Sequence, residues 1–138
     1  MDRGKPKVLI IDDDADFVET TRIVLESAQY DVISAGGMDQ GTRRLEADIP
    51  DILILDMLMG GEGAGFLFAR KVRKDPRFKD IPILMLTGMR EQTGFFFPGK
   101  DKDPQFLPVD ELIEKPLKPK DLLEKVAKLL EKTRAKDA

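Results

Sequence analysis

Five side chains in this sequence carry groups suited to binding a cation and a phosphoryl group, and each lies at or just after the end of a predicted strand. They are Asp12, Asp13, Asp56, Thr87 and Lys115. Carboxylates that lie close together repel one another unless a cation lies among them, and Mg²⁺ prefers a few carboxylates, water and phosphate as ligands. A hydroxyl and an ammonium group are the donors that phosphoryl oxygens need, and a carboxylate can act as the nucleophile. Together these groups predict phosphoryl chemistry that depends on a divalent cation.

The composition excludes several other chemistries. The 138 residues include no cysteine and no histidine, which excludes disulfides, thiolate or imidazole metal sites and Ser-His catalysis. The net charge of −3 argues against a dedicated nucleic-acid binder, although the stretch from Lys115 onward holds eight Lys and Arg against four Asp and Glu. No apolar run has the length of a membrane span, and the first residues lack the apolar core of a signal peptide. We therefore expect a cytoplasmic protein without direct nucleic-acid or membrane contact.

Strands alternate with helices along the chain. The predicted strands are Lys7–Ile11, Asp31–Ala35, Ile52–Leu55, Ile83–Leu86 and Glu111–Glu114, and the predicted helices start at Asp14 or Asp16, at Met38, near Gly65 and near Pro119. The apolar stripe of the first helix contains Phe17, Val18, Thr21, Val24 and Leu25. This alternation predicts an α/β fold, a parallel sheet with helices on both faces, and such sheets bind ligands beyond the carboxyl ends of their strands. The five polar side chains are therefore expected to converge on one edge of the sheet.

Four motifs resemble the receiver domains of two-component response regulators. They are Ile10–Asp14, Asp51–Asp56, Ile81–Gly88 and Glu114–Pro116. The resemblance runs from about Lys7 to the final helix. It implies a doubly wound, flavodoxin-like sheet of five strands, in a single domain of residues 1–138 whose core spans about 7–132.

The resemblance also implies a role for each acid. Asp56 would be the phosphorylated residue, and Asp13 and Asp56 would bind Mg²⁺ directly. Asp12 would bind the ion through water, and the backbone carbonyl of Leu58 would complete the ligands from the protein.

The same resemblance implies the groups that hold the phosphoryl oxygens. Thr87 would donate a hydrogen bond to one oxygen, and Gly88 would offer room and a backbone N–H. Lys115 would pair with another oxygen, and the bond between Lys115 and Pro116 would be a cis peptide, an isomer that proline makes accessible.

The partners implied by the resemblance are proteins. A cognate histidine kinase or a phosphotransfer protein would supply the phosphoryl group, and a downstream protein would read the phosphorylated state, with a homodimer as a further option. The chain ends soon after its last predicted helix, so we expect no output domain and no reaction beyond its own phosphorylation and dephosphorylation.

Two departures from the family pattern lie beside the site. The loop from Met59 to Gly65 is rich in glycine, lacks the usual proline and is one residue longer than in the family pattern. Leu58 and Met89 occupy the positions that flank the approach of a hydrolytic water. Both are apolar, so neither can orient that water, and we expect a long-lived phosphoryl state.

Two further departures concern how a signal would leave the molecule. Leu112 stands where the family has its switch aromatic. The segment from Gly88 to Pro108 is longer than usual and contains Phe95–Phe97 among several glycines and prolines. We expect no aromatic rotamer switch, and we hypothesise that the segment from Met89 to Leu107 and the basic final helix form the output surface.

Two alternatives to a phosphorylated receiver stay open at this point. A haloacid-dehalogenase-type phosphatase would use Asp12–Asp14 as its Asp-x-Asp motif, which would leave Asp56 without a role. A pseudo-receiver would have the fold and bind partners without being phosphorylated. Substituting Asp56 and Asp12 separately, while following acyl-phosphate formation, distinguishes the three.

Overall fold

The structure is a computed structural model that describes residues 4–57, 64–88 and 109–137, with side chains described as far as residue 133. Its elements within these ranges are β1 (Lys7–Ile11), α1 (Ala15–Ser27), β2 (Asp31–Ala35), α2 (Met38–Ala47), β3 (Ile52–Asp56), α3 (Ala64–Lys74), β4 (Ile83–Thr87), β5 (Glu111–Glu114) and α4 (Pro119–Asp137). The predicted strands and helices are confirmed. The differences lie at the ends, where β3 and β4 each run one residue further than predicted and include Asp56 and Thr87.

The strands form one parallel sheet in the order β2-β1-β3-β4-β5. The predicted doubly wound, five-stranded sheet is therefore confirmed. β3 is buried at every position and β1 and β4 at all but one, as expected of parallel strands that are covered on both faces. Because all strands point the same way, their carboxyl ends lie along one edge.

Helices cover both faces of the sheet. On one face α1 and α4 bury Val18, Leu25, Leu122, Val126, Leu129 and Leu130 against the strands. On the other face α2 and α3 bury Leu45, Phe68, Ala69 and Val72. Each large apolar side chain removed from water stabilises the fold by about 1.5–3 kcal/mol before the entropy of ordering it is subtracted. The two layers therefore hold the sheet and its polar edge in a fixed geometry.

The start of α1 is set by the side chain of Asp14. This residue is the N-cap, and its carboxylate accepts a hydrogen bond of 3.1 Å from the backbone N–H of Phe17. Asp16, the other candidate for the start, lies in the first turn, where a negative charge favours the positive end of the helix dipole. Val18, Thr21 and Leu25 of the predicted stripe are buried, whereas Phe17 is only partly buried.

None of the helices in the described ranges combines the length and the apolar character that crossing a membrane requires.

Candidate functional site

The register of the sheet brings Asp12 and Asp56 together. Ile11, the last residue of β1, is the partner of Leu55 in β3, so the next residues, Asp12 and Asp56, lie side by side at the ends of these strands. Asp12 is held there by its backbone N–H, which donates to the carbonyl of Ala35 at 3.0 Å. Both acids are buried, with 2% of Asp12 and 8% of Asp56 exposed. A buried carboxylate is costly unless other groups compensate its charge, so the neighbours of these two acids decide their chemistry.

The neighbours of the Asp12 carboxylate are a backbone amide and a lysine. Its Oδ1 accepts a hydrogen bond of 2.9 Å from the backbone N–H of Asp14, and its Oδ2 accepts one of 2.9 Å from Nζ of Lys115. The same Nζ lies 3.7 Å from Oδ2 of Asp56. The structure thus brings the predicted lysine to both buried acids, across the width of the sheet edge.

Thr87 and Lys115 are tied to each other through the backbone. Thr87 is the last residue of β4 and the partner of Glu114 in β5, and its carbonyl accepts a hydrogen bond of 2.8 Å from the N–H of Lys115. The Thr87 side chain is half-buried at the same edge as Asp56. The peptide bond between Lys115 and Pro116 is cis, as the resemblance implied.

Asp13 joins the two buried acids in a cluster that suits a metal ion. Asp12, Asp13 and Asp56 each offer a carboxylate oxygen, and these oxygens lie within 4.8 Å of one another. Asp13 is exposed, so the cluster is open to solvent on its side. Three carboxylates and a partly open position match the ligands that hard divalent cations take. The predicted carbonyl ligand of Leu58 lies outside the described residues.

The structure adds two residues to this site that the sequence did not single out. The ring of Phe17 lies beneath Lys115, with 4.3 Å between Nζ and the ring centroid. From the sequence, Phe17 was expected only in the apolar stripe of α1. The one feature that could have indicated its contact with Lys115 is its position three residues after the Asp14 cap. The second residue is Gly65 in the first turn of α3.

Gly65 brings α3 against the backbone that carries Asp56. A Cβ at this position would lie 2.6 Å from the carbonyl oxygen of Met57 and 2.8 Å from that of Asp56. No side chain fits at those distances, so only glycine allows the helix to approach so closely. The sequence pattern placed Gly65 only at the end of a glycine-rich loop and did not predict this contact.

Several expectations concern segments that the structure does not describe. The glycine-rich loop before Ala64, the Leu58 and Met89 positions and the run Phe95–Phe97 lie outside the described residues. Leu112 is described, and it is partly buried against the α2–α3 side of the core. The side chain in the position of the switch aromatic therefore packs as an ordinary core residue.

The same fold occurs in a known protein family. Residues 8–127 match the model of the family described as the response regulator receiver domain. The chain belongs to this family, whose members are the phosphoacceptor modules of two-component signalling rather than classical enzymes.

Curated relatives carry the same domain within longer chains. This chain is 32% identical over 128 residues to the phosphate regulon transcriptional regulatory protein PhoB of Pseudomonas aeruginosa, with 91% of this chain and 52% of that protein covered. It is 34% identical over 128 residues to the DNA-binding dual master transcriptional regulator RpaA of Synechocystis sp., with 93% and 50% covered. The chain thus spans about half the length of these relatives.

Solved structures match over nearly the whole of both chains. The chemotaxis response regulator CheY4 of Vibrio cholerae gives a TM-score of 0.76 at 26% identity, with 91% of this chain and 98% of that chain covered. A CheY-like receiver domain protein of Methanospirillum hungatei JF-1 gives a TM-score of 0.79 at 23% identity, with 96% of this chain and 99% of that chain covered. This match shows the shared fold.

Proposed function

We propose that Asp56 is the phosphoacceptor of this receiver and that its phosphorylation requires Mg²⁺. The observation that carries the proposal is the meeting of three carboxylates and one ammonium group at the end of β3, with Lys115 between Asp12 and Asp56. Asp13 and Asp56 would bind the ion directly, Asp12 through water, and Leu58 through its carbonyl. When bound, the ion neutralises negative charge on the acids and on the phosphoryl oxygens.

The side chains divide the work of phosphoryl transfer. A carboxylate oxygen of Asp56 forms a bond to phosphorus as the bond between phosphorus and its donor breaks, and the donor departs with that electron pair. Lys115 and the hydroxyl of Thr87 donate to the oxygens of the transferred group and hold it at the edge of the sheet. One hydrogen bond joins the backbones of Thr87 and Lys115, so the two anchors extend from adjacent backbone positions.

The geometry of Asp12 argues against the phosphatase alternative. Its side chain is fully buried, and its oxygens already accept hydrogen bonds from Asp14 and Lys115. A nucleophile needs an oxygen that the substrate can reach, and 11% of the Asp56 side chain is exposed against 0% of the Asp12 side chain. The pseudo-receiver alternative is not favoured either, because the described site contains each acid, the hydroxyl and the lysine.

The partners proposed are a histidine kinase or phosphotransfer protein as donor and a downstream protein as reader, with self-association as an alternative output. PhoB and RpaA are named as regulators of transcription, and the stretch matched here is about half of each. A role as a single receiver domain in the cytoplasm, without its own contact to nucleic acid, stays a prediction, as does catalysis limited to its own phosphorylation and dephosphorylation.

The test is labelling by a small phosphodonor with and without Mg²⁺. We expect one phosphoryl group per chain, seen as an alkali-labile mass shift, only when Mg²⁺ is present. Asp56→Asn should abolish the shift because the nucleophile is lost. Asp39→Asn, which removes the same charge from an exposed position of α2, should leave it intact.

Two outcomes would contradict the proposal. A persistent shift on Asp56→Asn would place the phosphoryl group elsewhere, and a wild-type chain that binds Mg²⁺ but takes no label would be a pseudo-receiver. The variant Asp12→Asn distinguishes the proposed receiver from the phosphatase alternative. This variant should need a higher concentration of Mg²⁺ and retain the label at Asp56. Loss of the label at saturating Mg²⁺ would indicate that Asp12 is the nucleophile.

A further inference from the structure

Phe17 and Lys115 form a contact that the chemistry at Asp56 does not by itself require. The ammonium nitrogen lies 4.3 Å from the ring centroid, within the range of about 6 Å over which a cation is attracted to an aromatic face. The lysine side chain is 24% exposed, so the ring covers one side of a group that would otherwise contact more water. The same nitrogen lies 3.7 Å from Oδ2 of Asp56, the proposed phosphoacceptor.

The ring is held in place by the acid that also binds the lysine. Oδ1 of Asp12 accepts from the N–H of Asp14, and Oδ1 of Asp14 accepts from the N–H of Phe17. Oδ2 of Asp12 accepts from Lys115. One buried carboxylate therefore fixes both the first turn of α1, which carries the ring, and the ammonium group above the ring.

Lysine needs such support because its side chain is long and has four flexible carbons. Asp12 and Asp56 attract the ammonium group, and the ring of Phe17 adds a third contact that limits where the group can move. An aromatic face attracts a cation without taking up its N–H bonds. The ring can therefore hold Lys115 near Asp56 while leaving an N–H for an oxygen of the phosphoryl group.

We propose that Phe17 is a positioning residue for phosphoryl transfer, which holds the ammonium group of Lys115 over its ring and directed at Asp56. The proposal rests on the proposed function of Asp56 and concerns a residue outside the predicted site. Phe17 acts through Lys115 and does not contact the transferred group.

The experiment compares the initial rate of phosphorylation of Phe17 variants by a small phosphodonor at saturating Mg²⁺. Phe17→Leu keeps an apolar side chain and removes the aromatic face, and should slow the rate about two- to fivefold, the effect expected of a partly exposed cation–π contact. Phe17→Tyr and Phe17→Trp keep a face and should retain the rate. The indole has room because Phe17 lines a cavity of about 300 Å³ with Val24, Leu117 and Leu122.

The same comparison in a Lys115→Ala background separates positioning from packing. If Phe17 acts through the lysine, Phe17→Leu should cause no further loss once Lys115 is absent. Ile23→Ala is the matched control, since Ile23 is an apolar residue of α1 that is 60% exposed. It should leave the rate unchanged in both backgrounds.

NMR spectroscopy can detect the contact between Phe17 and Lys115 without a phosphorylation reaction. Protons on the end of the Lys115 side chain should be shifted upfield in NMR spectra by the ring current of residue 17. The shift should remain in the Tyr and Trp variants and vanish in Phe17→Leu, while the rest of the spectrum shows a folded chain.

The outcomes are distinguishable from failure of the proposed function. If Asp56→Asn abolishes labelling but Phe17→Leu labels as fast as the wild type, the inference is overturned and the function stands. An equal loss with and without Lys115, or an equal loss in the Leu, Tyr and Trp variants, would show that Phe17 only packs. Labelling that survives Asp56→Asn overturns both.

Discussion

At the scale of residues, Lys115 joins the parts of the site. It pairs with Asp12 at 2.9 Å and lies 3.7 Å from Asp56, while its backbone N–H is bonded to the carbonyl of Thr87. The carboxylates hold the metal ion in the proposed function, and the lysine contacts the phosphoryl group. Loss of Lys115 should therefore impair the response to the phosphoryl group while the carboxylate ligands of the ion remain in place.

We predict that Lys115→Ala binds Mg²⁺ and responds weakly to phosphorylation. The acids that hold the ion remain in this variant, whereas one anchor of the phosphoryl group is lost. Titration of Mg²⁺ by calorimetry should give an affinity close to that of the wild type, and the spectral change caused by beryllofluoride should be much smaller. Lys118→Ala, which removes an exposed charge three residues later, is the control. A full response in Lys115→Ala would contradict this role.

The residues of the site differ in how far the sequence could predict them. Asp12, Asp56 and Thr87 were predictable because each lies at or just after the end of an apolar strand of a parallel sheet, and the carboxyl ends of such strands meet. Phe17 was not, because an apolar residue at helical spacing gives the same signal whether it packs in the core or contacts a cation. The choice of Asp14 over Asp16 as the cap depends on a hydrogen bond to a backbone N–H, which no spacing decides.

At the scale of elements, the strands and helices were predictable because apolar runs and helical spacing alternate cleanly along the chain. The close approach of α2 and α3 to the sheet was not predictable, because it depends on which atoms surround a glycine of each helix in the folded protein. In α2, a Cβ on Gly41 would lie 2.5 Å from Cδ1 of Ile11, the end of a flexible side chain. In α3, a Cβ on Gly65 would meet only backbone near Asp56.

We predict that Gly65→Ala destabilises the protein and slows phosphorylation. The new methyl group would overlap the carbonyls of Met57 and Asp56, and the backbone can yield only if α3 moves away from β3. Overpacking of this kind costs about 1–3 kcal/mol, which exceeds the gain of about 1 kcal/mol from replacing a helical glycine by alanine. Urea denaturation should show a lower free energy of unfolding, and labelling of Asp56 should be slower.

Gly41→Ala is the matched control for that variant. It makes the same change in a helix that packs on the same face of the sheet, but Ile11 can rotate its terminal methyl group away. Its free energy of unfolding should stay within about 1 kcal/mol of the wild type, because the gain in helix propensity offsets the adjustment. An equal decrease in the free energy of unfolding in the two variants would show that the backbone contacts of Gly65 do not make it less tolerant of a methyl group than Gly41.

At the scale of the whole molecule, the segment from Gly88 to Pro108 lies between two parts of the chain with different roles. We expect phosphorylation to move the part before the segment and to leave the part after it in place. Thr87, just before the segment, belongs to the proposed phosphoryl site. Asp110, just after it, donates its N–H to Ile83 at 2.9 Å and accepts from the N–H of Ile83 at 2.7 Å. Arg73 of α3 forms an ion pair with Asp110 as well. We therefore expect a shift at Thr87 to be taken up largely between these two ends.

Leu112 limits the other routes by which a signal could leave the sheet. It packs partly buried against the α2–α3 side of the core and has no ring to rotate, so β5 cannot respond through an aromatic switch. Glu111 of β5 is paired with Lys125 of α4 at 2.7 Å, which ties the strand to the basic helix. We therefore hypothesise that the connecting segment and α4 together form the output surface.

We predict that the binding of Mg²⁺ and beryllofluoride changes amide hydrogen exchange most strongly between Gly88 and Pro108. The phosphoryl mimic should draw in the hydroxyl of Thr87, and the segment that begins at Gly88 should reorder because Asp110 holds its far end. Exchange followed by mass spectrometry, with and without the two ligands, measures this directly. Asp56→Asn, which cannot bind the mimic at the acceptor carboxylate, should show none of the change. If the Gly88–Pro108 peptides stay unchanged while the Gly60–Gly65 loop alone gains protection, the ion orders its own loop and the signal leaves by another face.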